Sequence, residues 1–245
     1  NIQASFVDSA GNLWLGSRAG LSVKNGNTFK NVPQAATYKF NNIYDIIEDP
    51  NKAKWIAGYG QGILYFNKQS TKLINEKNGL VSNNVRSLFY LDDKIYVGTL
   101  NGISIISTKD FSIINPIFTA HKDYLFNVTS FFTVNKKVYA TTINNGLYEV
   151  TTKKLIKVSD LKKGFSSVVH NGKLYIGTQY NLHEINPVNF EIVKSFNISS
   201  VHRFLSVNDD LYLISSGIFE NKGGLFQLKN NEIIMMSDFF RSIID

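Results

Sequence analysis

Residues 14–21 read Trp14-Leu15-Gly16-Ser17-Arg18-Ala19-Gly20-Leu21: an aromatic inside a short apolar run, a turn, then glycine followed by an aliphatic residue. The arrangement returns at Trp55-Ile56-Ala57 with Gly62-Ile63, at Tyr96-Val97-Gly98 with Gly102-Ile103, and at Tyr139-Ala140-Thr141 with Gly146-Leu147. Tyr175-Ile176-Gly177 and Tyr212-Leu213-Ile214 extend the series to six, with the aromatics 41, 41, 43, 36 and 37 residues apart. A period of about 40 residues with several short strands per unit predicts a β-propeller, in which one repeat is one blade that cannot bury its faces alone.

Working outward from the third aromatic, residues 85–115 divide into four strand signals: Val85–Leu91, Lys94–Thr99, Gly102–Ser107 and Phe111–Asn115. Turn residues separate them, so the unit is a four-stranded antiparallel meander. The same order fits residues 2–32, 43–75, 128–158, 164–195 and 201–236, which makes six blades of an all-β propeller within a single domain spanning residues 1–245. The tail Phe240-Arg241-Ser242-Ile243-Ile244 aligns with Val85-Arg86-Ser87-Leu88-Phe89, so residues 239–245 read as the first strand of a further blade. The expectation is a fragment of a longer protein that holds most of a seven-bladed ring, with a six-bladed ring plus one extra strand as the alternative.

Residue types within the repeat have structural readings. The aromatic on the second strand is expected to fill the wedge between blades. The glycine opening the third strand, replaced by Asn181 in the fifth repeat, is expected at a left-handed turn position. Ser5, Asp45, Ser87, Ser130 and Ser167 near the centres of the first strands suit a crowded axis. The pairs Asp92-Asp93 and Asp209-Asp210 read as hairpin turns, because sister repeats place Asn, Gly and Lys there. Neither metal ligands nor a cofactor site is expected.

Apolar residues make up 43% of the chain but fall in short runs, none long enough to span a bilayer, so any membrane contact is expected from segments outside it. The net charge is +7, yet only four of the 26 basic residues are arginine and the lysines are spread through every repeat. That pattern points to a solvated surface and away from nucleic acid. With no cysteine, the chain fits a reducing or an oxidising compartment.

At Asp8-Ser9-Ala10-Gly11-Asn12-Leu13-Trp14-Leu15-Gly16, followed by Gly20-Leu21, the sequence resembles the two-component regulator propeller repeat. The stretch Asn78-Gly79-Leu80-Val81-Ser82-Asn83-Asn84-Val85-Arg86-Ser87-Leu88 is similar to the junction between such repeats. The resemblance is good over residues 1–107 and weaker beyond. It implies an extracytoplasmic, periplasmic sensor region of a Bacteroidetes-type hybrid two-component protein or histidine kinase that recognises an oligosaccharide. It also implies an adjacent propeller, downstream domains, a membrane helix and a kinase elsewhere in the same protein, and it is compatible with a homodimer.

In a propeller, loops from the fourth strand of one blade to the first of the next share a face with the loops between second and third strands, and that face is the default binding surface. Here it is expected to collect Arg18, Tyr38, Phe40, Tyr59, Arg86, His121, Asp123, Tyr124, Tyr180, His202 and Phe219, residues that stack on sugar rings and bond their hydroxyls. Two loops, 116–127 and 217–223, are longer than their siblings. No pair of acids and no metal-ligand spacing among the four histidines marks a catalytic centre, so catalysis is assigned to no residue and this domain is read as a non-enzyme. A protein-interaction propeller is the alternative, and a propeller lyase or hydrolase the less favoured one.

Overall fold

The computed structural model describes residues 2–117, 125–217 and 223–238. Among them, 24 strands form six four-stranded antiparallel sheets, each ordered from first strand to fourth along the chain, the blade of the β-propeller class. The first three blades are β1–β4 (Ile2–Val7, Leu13–Ser17, Gly20–Asn25, Thr28–Asn31), β5–β8 (Ile43–Glu48, Lys54–Gly58, Gly62–Phe66, Thr71–Ile74) and β9–β12 (Val85–Leu91, Lys94–Thr99, Ile103–Ser107, Ile113–Ile114). The others are β13–β16 (Val128–Val134, Lys137–Thr142, Leu147–Val150, Leu155–Ser159), β17–β20 (Gly164–His170, Lys173–Thr178, Leu182–Ile185, Ile192–Phe196) and β21–β24 (Val201–Val207, Asp210–Ser215, Gly224–Lys229, Glu232–Asp238). The further blade expected at residues 239–245 lies outside the described residues.

The chain divides into two compact units, Asn1–Val128 with Thr152–Lys154, and Thr129–Thr151 with Leu155–Asp245. In the first, Trp14 packs on Phe66 of the next blade (6.0 Å between centroids), and Trp55 stacks on Phe111 of the blade after it (5.7 Å). In the second, Tyr139 meets Phe190 across a blade joint at 4.9 Å. In these three blades the repeated aromatic is a wedge; five of the six are buried, each contributing about 1.5–3 kcal/mol, and Tyr212 is half-buried. Two residues downstream a small side chain lets the next blade approach. A Cβ on Gly16 would lie 2.4 Å from Ile43 Cγ2, one on Gly98 2.6 Å from Val128 Cγ1, and one on Gly177 2.6 Å from Val201 Cβ. Between the fourth and fifth blades the sizes exchange, with Thr141 opposite Gly164.

Short polar residues in the first strands stitch neighbouring blades. Asp45 Oδ2 accepts the Leu88 N–H at 2.9 Å, and the Ser130 and Ser167 hydroxyls are 2.8 Å apart. At the opposite end the Asp8 carboxylate accepts from the Trp14 indole N–H at 2.8 Å and from the N–H groups of Ala10 and Asn12, and Asp49 accepts from Trp55 in the same way at 3.0 Å. Burial opposes ionisation of Asp8, but these donors outweigh it and hold the carboxyl well below its ordinary value. Buried Lys54 reaches both Asp8 (3.4 Å) and Glu48 (2.5 Å), tying the first two blades together.

The acidic pair Asp92-Asp93 forms a hairpin turn with both φ positive, at 48° and 58°. In the sixth blade the turn is Asn208-Asp209 instead of the expected Asp209-Asp210: Val207 pairs with Asp210, which begins β22 and accepts from Gln227 Nε2. Asn181 is a second correction. Its backbone is not left-handed, although the Thr178 N–H and hydroxyl hold its carbonyl just as Thr99 and Thr142 hold those of the left-handed Gly102 and Gly146. Two short helices went unread in the sequence: α1 (Pro33–Thr37) between the first and second blades, and a single 3-10 turn at Glu76–Asn78 between the second and third.

Candidate functional site

The two loop classes share a face within each unit. In the first, Tyr59 N–H donates to the Asn42 carbonyl, and Gly60 and Gly62 N–H both donate to that of Asn83, at 2.9–3.0 Å. In the second, Gln179 N–H donates to the Lys163 carbonyl and Ser200 N–H to that of Gln179. The chain enters these first strands through residues with positive φ, Asn42, Asn127, Lys163 and Ser200, each immediately before its strand. The next irregularity is a bulge that interrupts β1, β5, β9, β17 and β21 at the second residue: Gln3, Tyr44, Arg86, Phe165 and His202. A bulge re-aims a side chain and releases it from the pleat, so these residues occupy one register at the loop end of the blades.

In the first unit the bulges build a cluster. The Arg86 guanidinium carbon lies 5.6 Å from the centre of the Tyr44 ring and 5.5 Å from that of Tyr59, and the two rings are 5.6 Å apart at 40°. This is cation–π geometry on two rings at once. Arg86 Nε is buried without a hydrogen-bond partner, as are Gln3 Oε1 and Asn127 Oδ1. Beside the cluster, α1 and the β2–β3 turn frame a cleft of about 300 Å³ lined by Ala19, Val32, Ala35, Lys39, Phe40 and Asn41 among others.

The second unit pairs an aromatic with a histidine. Phe165 and His202 stack at 4.9 Å and 16°, and His202 Nε2 is 3.0 Å from Ser216 Oγ. Desolvation by the atoms packed around it, aided by the charge of Arg203, pushes the imidazole below its ordinary value, and the exposure of His202 tempers the shift. A second cleft of about 250 Å³ lies at the hairpin-turn end, where His170 bridges blades through Ser206 Oγ (2.8 Å) and the Asp209 carbonyl (3.2 Å).

A family model described as "Domain of unknown function (DUF5074)" matches residues 70–210, more than half of the sequence. The chain belongs to the DUF5074 family. No curated protein matches it in sequence. In fold this DUF5074 member is similar to the extracellular domain of BT3049 from B. thetaiotaomicron, described as a hybrid two-component system (TM-score 0.75, 17% identity, 95% of this chain and 33% of that one). It is equally similar to the extracellular domain of BT4673 from the same organism (TM-score 0.75, 17% identity, 96% and 36%). The DUF5074 chain thus spans about a third of the length of either ectodomain. A catalytically inactive virginiamycin B lyase from Staphylococcus aureus, bound to quinupristin, shares the fold at a TM-score of 0.68 and 15% identity, over 96% of this chain and 84% of that one.

Of the residues singled out from the sequence, the DUF5074 structure brings Tyr59 and Arg86 together. Arg18, in the β2–β3 turn, and Tyr38, at the end of α1, are both exposed and next in sequence to Ala19 and Lys39 of the α1 cleft. Tyr180 belongs to the second unit, where Lys163 Nζ donates to its hydroxyl at 2.9 Å. Phe40 is a correction: it is buried in the core, and a Cβ on Gly58 would lie 2.5 Å from its ring. His121, Asp123, Tyr124 and Phe219 lie outside the described residues. Tyr44, Gln3 and Phe165 were missed, although one signal was present: each occupies the second position of a first strand, where Arg86 and His202 stand in sister repeats. Among the described residues no cluster of His, Asp or Glu has the spacing of a metal site, and no helix is long and apolar enough to cross a membrane.

Proposed function

We propose that this chain is the ligand-sensing propeller of an extracytoplasmic sensor, that it recognises an oligosaccharide on its loop face, and that it signals through segments outside the sequence. The observation that carries this reading is the Tyr44–Tyr59–Arg86 cluster, in which Tyr44 and Arg86 at the loop ends of adjacent first strands meet Tyr59 of the β6–β7 turn, two rings and a guanidinium together. Aromatic faces stack on the apolar face of a sugar, and N–H donors bond its oxygens. The likeness in fold to ectodomains of B. thetaiotaomicron regulatory systems supports it. Signalling then follows from differential affinity: a sugar that prefers one arrangement of paired ectodomains shifts that equilibrium by the difference and no more. A seventh blade begun at residues 239–245 and a periplasmic location belong to the same reading.

Calorimetric titration of the 245-residue chain with a panel of neutral and acidic oligosaccharides tests it. Saturable binding of one class is expected, with the sugar recovered intact afterwards; absence of any binding would favour a protein-interaction propeller. The lyase of similar fold favours catalysis as a second reading, and cleavage of a bound sugar during the titration would select it.

A further inference from the structure

We infer that the loop face of the first unit carries a carboxylate subsite built on Arg86, so that the sugar it takes is an acidic one, a uronate-bearing oligosaccharide. The inference rests on the oligosaccharide reading and narrows it. Three observations converge on the subsite. No hydrogen bond or ion pair to a protein group engages the Arg86 guanidinium among the described residues, although its Nε is buried. Structural arginines that lose water at Nε ordinarily recover it through a carboxylate or carbonyl, and leaving a buried donor unmade is costly. Here the groups against the cation are the rings of Tyr44 and Tyr59, which stabilise positive charge but offer its N–H groups no acceptor oxygen of the kind a carboxylate supplies.

The second observation is position. Arg86 is the bulge residue of β9, Tyr44 that of β5 and Gln3 that of β1, the same register on three first strands, so the cation sits in a row with an aromatic face and an amide. The third is the pair of buried acceptors at the margins of that row, Gln3 Oε1 and Asn127 Oδ1, both without a partner. Unpaired acceptors call for a hydroxylated ligand, and an unpaired guanidinium edge calls for a planar anion that accepts two parallel N–H bonds. A sugar acid supplies both on one rigid ring, which a bare anion or a neutral sugar does not. The net charge of +7 favours the approach of such a ligand.

The test compares tri-galacturonate, its fully methyl-esterified form and monomeric galacturonate by calorimetry at pH 7 on the 245-residue chain and on Arg86→Gln and Arg86→Lys. Tri-galacturonate is expected to bind about 10- to 100-fold more tightly than the ester, with that preference lost in Arg86→Gln and partly kept in Arg86→Lys. The monomer is expected to bind more weakly than the trimer but with the same dependence on Arg86. Esterification changes the ligand alone, so the comparison survives a variant that fails to fold. If neutral and acidic trimers bind equally, or if Arg86→Gln folds and keeps the preference, the carboxylate subsite is overturned while the oligosaccharide reading stands. If no sugar in either charge state binds, both fall together.

Discussion

Replacing Gly16 by alanine tests how blades are fitted to one another. The new Cβ would lie 2.4 Å from Ile43 Cγ2, 2.9 Å from Ile43 Cβ and 3.2 Å from Ala4 Cβ, where carbon atoms normally rest about 3.5–4.0 Å apart. Ile43 has no exposed surface, so it cannot swing into solvent, and β5 must retreat as a whole. Overpacking of this kind costs about 1–3 kcal/mol, offset by about 0.4–1 kcal/mol because alanine restricts the unfolded chain, which leaves a net loss near 1–2 kcal/mol. Ile43→Ala alone costs about 2–5 kcal/mol through its cavity. Combined, the two should fall short of additivity by about 1 kcal/mol or more, since removing the γ-carbons makes room for the added methyl. Urea unfolding followed by tryptophan fluorescence is the assay, because both tryptophans, Trp14 and Trp55, lie in the first unit and report that unit. The expected Gly16→Ala midpoint shift is roughly 0.3–1 M for a slope of about 2–3 kcal/mol/M. A neutral Gly16→Ala, or strict additivity of the pair, would refute size complementarity at the blade joint.

Asp8→Ala leaves the Trp14 indole N–H unpaired and should cost about 1–3 kcal/mol at pH 7. Because the folded carboxyl is held below its ordinary value, its contribution is present above about pH 4 and fades as pH falls through the folded value, so the gap between variant and parent should narrow on acidification; a constant gap argues against the ionised cap. In the second unit, burial holds His183 below its ordinary value, and burial together with the Arg203 charge does the same for His202, so the unfolded chain takes up protons first as pH falls through about 6.5 and stability drops. Protection factors for amide exchange in β17–β24, taken against the slower intrinsic rate at low pH, should therefore fall from pH 7.5 to 5.5, and this response should vanish in His183→Gln/His202→Gln; equal protection at both pH values contradicts it. If a sugar binds the first unit, Tyr44→Ala and Tyr59→Ala should each weaken it by about 1–2 kcal/mol while Tyr180→Ala leaves the affinity unchanged, and a reversed order moves the site to the second unit.

Much of the fold was legible because the repeat states it six times. Alternation, turn residues and the spacing of aromatics are local properties, and β9 and β10 fall at Val85–Leu91 and Lys94–Thr99 as the pattern indicates. The candidate site was legible only in part. Tyr59 and Arg86 were picked out as polar or aromatic loop-end residues, but Tyr44 reads as an ordinary strand residue between Ile43 and Asp45. The bulge that turns it toward Arg86 arises from pairing with β6, and nothing in the identity of Tyr44 announces it. Phe40 failed in the opposite direction: an aromatic in a loop looks available, yet Gly58 opens a slot that swallows its ring.

Periodicity, turn chemistry and the aromatic wedge come from the chain alone, because each depends on neighbours within a few residues and on a repeat that averages out local noise. Tertiary structure decided which side chains meet. The stacking of Tyr44 and Tyr59 on Arg86, the exchange of sizes between Gly16/Ile43 and Thr141/Gly164, and the burial of Arg86 Nε are pairings between different blades. Such pairings depend on bulges and blade approach, where a shift of one residue sends a side chain to the other face of its strand.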